Sequence, residues 1–357
     1  MTTKLHKETA LPAIQKIAKI TETKNTIPIL ANVALSVSGD TLTMTGTDMD
    51  IEVTVTVPCV SDTDIKCTVN ATDLAKIFGR SKDEINLTLD DHVLRVSFGR
   101  TKVDFSTLDF EDFPVLASSE YENTFDMGGI EFADMLARAI VAASNEETRY
   151  YLNGVYWHTV DGNLVTVATD GHKLAMVTSD IKSSINGVIL PAKTVKVLSS
   201  IESDIVKASV SETKVKFEYG DTCIVSKVID GTFPDYTRVI PSGNPNHLTM
   251  NGKDLKDAIS TASIIADGKT RGIKFTVGAD TVVISARGDK GLSTVDVPCT
   301  FTGEPMDIGF NSAYVVAIAG QVGDGDVVFE LGGSGDPARV VGTGDDGFEG
   351  VIMPMRI

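Results

Sequence analysis

Apolar residues recur at helical spacing in six stretches of the chain: Leu11, Ile14 and Ala18; Leu74, Ile77 and Phe78; Phe132, Met135, Leu136, Ala139 and Ile140; Val197, Leu198 and Ile201; Leu255, Ala258, Ile259 and Ala262; and Tyr314, Val315 and Ile318. Each stretch predicts an amphipathic helix, and the stretches lie roughly 60 residues apart. Between them the pattern changes to alternation, as in Ile51, Val53, Val55 and Val57, in Leu94, Val96 and Phe98, and in Val215, Phe217 and Tyr219. A period of two predicts strands with one buried face. Helices of this kind against antiparallel sheet give an α+β layout, with the helices segregated to one face.

A longer register lies over this one. Pro114, Pro234 and Pro354 stand 120 residues apart, in FEDFPVL (110–116), DGTFPDY (230–236) and GVIMPMR (350–356). The helix-like runs NATDLAKIF, LPAKTVKVL and FNSAYVVAI begin at Asn70, Leu190 and Phe310, again 120 apart. A period this long exceeds the roughly 20–50 residues of a solenoid repeat. It predicts three tandem domains of one fold, each long enough to bury its own core. The expected domains are 1–124, 125–246 and 247–357.

Composition narrows the class. Cys59, Cys67, Cys223 and Cys299 show neither a CxxC pair nor metal-ligand spacing, so they read as reduced residues of a cytoplasmic protein. The opening MTTKLHKETALPAIQKI has no signal-peptide apolar core, and no apolar run reaches 18 residues, so no membrane association is expected. The net charge is −17, which taken whole argues against nucleic acid. Its distribution is uneven. The helical stretches with their flanks (10–24, 71–82, 130–149, 191–200, 251–271 and 311–321) carry a net +5, which leaves −22 for strands and loops. Helices sharing a face would make that face mildly basic, able to hold a polyanion loosely. Ordinary solvated Lys and Glu on helix surfaces would give the same numbers.

Other motifs suggest chemistry and then withdraw it. Asp170 and His172 in TDGH resemble a catalytic pair, but there is no GxSxG elbow, and residues two apart form no orienting hydrogen bond by default. The pair therefore reads as structural or pocket-lining, and no enzyme is expected. The stretches GDGD (323–326), GGSGDP (332–337) and GTGDDG (342–347) lack the spaced ligands of a Ca²⁺ loop, and GGSG has no following Lys. Hairpin turns are the expectation, with no metal and no cofactor.

Long ordered segments carry a resemblance: TIPILANVALSVSGDTLTMTGTDMDIEV (26–53), TRYYLNGV (148–155), TVATDGHKLA (166–175), VSKVIDGTFPDYTRVIP (225–241), IGFNSAYV (308–315) and VIMPMRI (351–357). In these the chain resembles the bacterial DNA polymerase III beta subunit, the sliding clamp. The resemblance implies three copies of the clamp fold, with helices on the inner face and antiparallel sheets outside. It also implies a head-to-tail homodimer that encircles double-stranded DNA without reading its sequence. Basic candidates for the DNA-facing lining are Lys16, Lys19, Lys24, Lys76, Arg80, Lys193, Lys196, Lys253 and Lys256. The dimer interface would join Ile264 and Ile265 of one chain to Ile77, Phe78, Phe105 and Leu108 of the other. The remaining alternative is a protein-binding scaffold that does not encircle DNA.

The same resemblance implies a pocket for short peptides of the replicative polymerase, the clamp loader and other clamp-binding proteins. Its residues here would be Arg149 and Leu152; Thr169, Gly171, His172, Lys173 and Leu174; Pro234, Arg238 and Val239; Asn311 and Tyr314; and Met353, Pro354, Met355 and Arg356. Met and Leu suit an adaptable apolar floor, and Arg and His suit a rim that orients a peptide backbone. Two features depart from the family pattern. Lys173 stands where Arg is frequent, and Glu146 and Glu147 precede TRYYLNG in a loop the family places near DNA.

Overall fold

The structure, a computed structural model, describes residues 2–21, 27–268, 270–289, 291–323, 325–344 and 347–356. The chain packs as two units, Met1–Ile130 with Glu202–Val228, and Glu131–Ile201 with Ile229–Ile357. The middle 120-residue stretch is thus divided between them.

In the first unit α1 (Lys7–Ala18) packs beside α2 (Ala71–Arg80). Asn70 starts α2 by accepting the Asp73 N–H at 2.9 Å, the capping bond expected of Asn at that position. Leu74 and Phe78, one turn apart, are fully buried. The inward face of α1 is Ala10, Ala13, Ile14 and Ile17; Leu11 and Ala18 of the expected set are only half-buried. Small residues let this helix lie close to the sheet. Gly46 is part of the same fit, because a Cβ there would stand 2.3 Å from Ile17 Cγ2.

One sheet of this unit has eight antiparallel strands, and its order crosses the expected domain boundary. Strand Thr222–Lys227, from the middle repeat, pairs with Ile51–Pro58 of the first, in the register Thr222↔Val55 to Ser226↔Ile51. Ile51, Val53, Val55 and Val57 are buried, as the alternation predicts. A second sheet orders Val60–Ser61, Thr3–His6, Glu84–Asp90, Val93–Phe98 and Thr101–Ser106.

The second unit holds most of α3 (Gly129–Ile140), with α4 (Ala192–Leu198), α5 (Gly252–Ser263) and α6 (Ser312–Ala319). Asn251 and Asn311 cap α5 and α6 through their side-chain oxygens. α4 is shorter than its pattern suggests, so the buried Ile201 lies beyond its end. Twelve strands form one sheet, in which Lys173–Lys182 pairs with Phe348–Ile352 and so joins the middle and last repeats. Phe132 and Trp157, with ring centroids 5.4 Å apart, anchor one part of the core; Phe275, Phe310 and Phe329 anchor another.

Of the glycine-rich stretches, 332–337 connects antiparallel neighbours and is a hairpin connection, while Asp345 and Asp346 of 342–347 lie outside the described residues. GDGD is not a hairpin: it leads from α6 into strand Asp326–Leu331, and Asp324 lies outside the described residues. Among the described residues no group of three or more His, Cys, Asp or Glu is placed to hold a metal, and no helix is long and apolar enough to cross a membrane. All four cysteines are free, and burial pushes the Cys67 thiol up to about 12.

Candidate functional site

Strand register in the second unit builds a cavity of about 230 Å³. Strand Asn163–Thr169 pairs with Lys173–Lys182 so that Thr169 faces Leu174, and Leu174 in turn faces Val351. The turn between the first two is braced by Asp170, whose Oδ1 accepts the His172 and Lys173 N–H groups at 2.8 and 2.9 Å. Gly171 sits there at φ +91°, a conformation that side chains rarely adopt. Asp170 is therefore a turn-holding carboxylate, directed at backbone and at Lys173 and not at the His172 imidazole.

The floor is apolar. Leu152, Leu174, Tyr236 and Val351 are buried and belong to one core cluster, while Val239 and Met353 stand half-exposed at the edge. Pro234 and the 3-10 turn Tyr236–Val239 form one wall. Past the end of Phe348–Ile352, the Met353 N–H donates to the His172 carbonyl at 2.9 Å and fixes the opposite edge. A cavity of this size and polarity accepts one or two apolar side chains of an extended segment.

Beside the floor the charged groups are already engaged. Lys173 Nζ lies 2.6 Å from Asp170 Oδ2, with side chains only 9% and 16% exposed, and 5.3 Å from the Tyr314 ring centroid. His172 stacks on Tyr314 at 6.1 Å. Burial pushes the Tyr314 hydroxyl above its ordinary range. Lys173 is thus held inward by Asp170, and the exposed Arg149 reaches the same turn, its Nη1 donating to the Asp170 carbonyl at 3.5 Å.

The cavity brings together Leu152, Thr169, Gly171, His172, Lys173, Leu174, Pro234, Val239 and Met353 of the expected set. Arg149, Arg238 and Pro354 are not among its lining residues, and Tyr314 contacts it only through His172 and Lys173. Asn311 caps α6, and Met355 and Arg356 line a separate cavity with Lys274, Asp307 and Gly309, where the Met355 N–H donates to the Gly309 carbonyl at 2.9 Å. The expectation missed Asp235, Tyr236 and Val351. Tyr236 and Val351 lie within the segments 225–241 and 351–357 that carry the resemblance, but their place at the cavity follows from the folded chain.

Comparison with known proteins decides the family. Three domain models of the DNA polymerase III beta subunit match the chain in order: the N-terminal domain at 1–117, the central domain at 128–235 and the C-terminal domain at 237–356. The chain belongs to this family of sliding clamps. It is 34% identical to the beta sliding clamp of Caulobacter vibrioides, with 97% of each chain covered, and 30% identical to that of Pseudomonas aeruginosa, with 99% of each covered. Among solved structures, the Bartonella birtlesii clamp bound to griselimycin matches with a TM-score of 0.96 at 33% identity, and the Pseudomonas aeruginosa beta subunit with 0.94 at 30%, each covering all of both chains. The fold is three tandem clamp domains.

The remaining clamp residues fall out unevenly. Ile264, the C-cap of α5, is 72% exposed and Ile265 is half-buried. Leu108 is exposed and Ile77 and Phe105 are half-buried, but Phe78 is corrected from interface to core, because its position one turn from Leu74 directs it inward. Lys19, Lys76, Arg80, Lys196, Lys253 and Lys256 are exposed on or beside helices, Lys76 in an ion pair with Asp73. Lys193 is half-buried. Lys16 is turned onto the sheet, donating to the Thr222 hydroxyl at 2.9 Å over the Tyr219 ring. Lys24 lies outside the described residues.

Proposed function

We propose that two copies of the chain close head to tail into a ring around duplex DNA and tether the replicative polymerase for processive synthesis. The observation that carries this reading is the match of all three clamp domains, in order, over nearly the whole chain. Exposed cations on α2, α4 and α5 would give the lining diffuse phosphate contacts, and the net charge of −17 keeps other surfaces from holding DNA. The working protein is a non-catalytic processivity factor of the cytoplasm. Its apolar cavity receives peptides of the polymerase, the clamp loader and other partners, with Leu174, Tyr236, Val239 and Met353 as the contact surface.

Topology supplies the test. Phosphate contacts weaken with salt, whereas a closed ring stays on a circle at any salt. Loaded protein should persist on nicked circular DNA at high salt and leave once the DNA is linearised. The native mass should be about 76 kDa, twice the 38.0 kDa of one chain. Equal retention on circular and linear DNA, or a strict monomer, would sink the ring.

A further inference from the structure

Beneath the cavity lies a buried polar pair that no peptide contact would require. His158 and Tyr236 share a hydrogen bond of 3.0 Å between Nε2 and Oη, and both residues are buried. The His158 ring also stacks on Tyr156 at 4.4 Å, and Tyr156 stacks on Phe233 at 4.9 Å and nearly parallel. His158 and Tyr156 project from one face of strand Gly154–Val160, two residues apart. Phe233 and Tyr236 belong to the loop segment 233–239 that forms the cavity wall. Two of that segment's buried aromatic rings are therefore held from below by one strand.

We propose that His158 is a positioning residue for the peptide pocket: it fixes the ring of Tyr236 in the floor and thereby sets peptide affinity without touching the peptide. The proposal rests on the peptide-docking reading of the cavity. The Tyr236 hydroxyl makes no other hydrogen bond among the described residues, so removing either partner of this bond takes away the ring's one polar anchor and frees it to leave its place. The adjoining open space is the cavity itself, so a turned ring would occupy volume that an anchor side chain needs. Burial raises the Tyr236 hydroxyl above its ordinary range, and Tyr156, Asp235 and Glu349 add to the rise, so the neutral phenol is the form held in place. Burial likewise lowers the His158 imidazole and keeps it neutral, against a backbone contact with Val165 that raises it, and the Nε2 bond to Tyr236 is the ring's one well-formed hydrogen bond among the described residues.

The test measures binding of a fluorescein-labelled short peptide with Gln, Leu and Phe anchors by anisotropy, alongside a melting curve for each variant. His158→Leu should weaken the peptide about tenfold, equivalent to ~1.4 kcal/mol. His158→Gln, which can still hydrogen-bond Tyr236, should return affinity to within about twofold of the parent. Tyr236→Phe should reproduce most of the loss, and adding His158→Leu to it should change little further, because the two residues act through one bond. Leu174→Glu is the control: a peptide indifferent to it is not using this cavity, and the docking reading itself fails. If Leu174→Glu abolishes binding while folded His158→Leu, or Tyr236→Phe, binds like the parent, the positioning role alone is overturned. A Gln variant as weak as the Leu variant overturns it equally. Should His158→Leu fail to fold, Tyr236→Phe and His158→Gln decide the question between them.

Discussion

Replacing Ile264 and Ile265 by Ala together should separate the ring into folded monomers. Ile264 is 72% exposed at the end of α5, so it contributes little to its own unit and most of its side chain is available to a second copy. Ile→Ala removes three carbons at roughly 0.8 kcal/mol each, or about 1.7 kcal/mol when scaled to the exposed share. The half-buried Ile265 adds roughly 1 kcal/mol. A head-to-tail dimer has two such interfaces, so dissociation to monomers loses about 5 kcal/mol, which raises the dissociation constant by three to four orders of magnitude, at roughly 1.4 kcal/mol per decade. Sedimentation velocity across a dilution series should show the parent near 76 kDa and the double variant near 38.0 kDa at roughly micromolar concentration. Melting midpoints of the isolated chains should barely differ. Phe78→Ala is the contrast, since it empties a fully buried site and should cost about 3–5 kcal/mol of stability. A double variant that keeps the dimer mass throughout the dilution would refute the assignment.

Deleting residues 353–357 should abolish binding of the anchor peptide with only a small fall in melting temperature, because the core strand ends at the fully buried Ile352 and Met353 lies at the cavity edge; intact peptide affinity in the folded truncation would count against the site. Burial holds the His158 imidazole at about 4, below its ordinary 6.5, so the fold favours the neutral ring. That contribution is complete above pH 6.5 and is lost as pH falls toward 4, by roughly 3 kcal/mol, a slope that urea melts should show and His158→Gln should flatten. With its thiol pushed up to about 12, Cys67 should resist a disulfide reagent at pH 8 until the protein is denatured; rapid labelling in the native state, read by mass spectrometry, would contradict its burial.

Periodicity located the helices well, because Leu74, Phe132, Leu136, Leu255 and Val315 are large, unambiguous apolar residues at regular spacing. It misjudged the face of α1, where Ala10 and Ala13 carry the contact and alanine gives no directional signal. Phe78 shows the converse: a large apolar side chain reads alike whether it awaits a partner or fills a core. Nine of the expected positions line one cavity, yet the places of Tyr236 and Val351 in it emerged only from folding, since they depend on which segments become neighbours. His158 carried no sequence signal at all. Its partner lies 78 residues away, and nothing local announces the pair.

The repeat in the sequence and the seams in the sheets do not coincide, and that mismatch bears on how the chain can be taken apart. Strand Thr222–Lys227 is hydrogen-bonded to Ile51–Pro58, and Lys173–Lys182 to Phe348–Ile352. Excising the middle stretch as a separate domain would bare two long strand edges on it and one on each flanking piece, a template for aggregation. The 120-residue segments thus share one sequence pattern without each closing its own sheet. Backbone amides along the two seams should exchange with solvent as slowly as those in the cores, so that the joints between repeats are as hard to open as the repeats themselves.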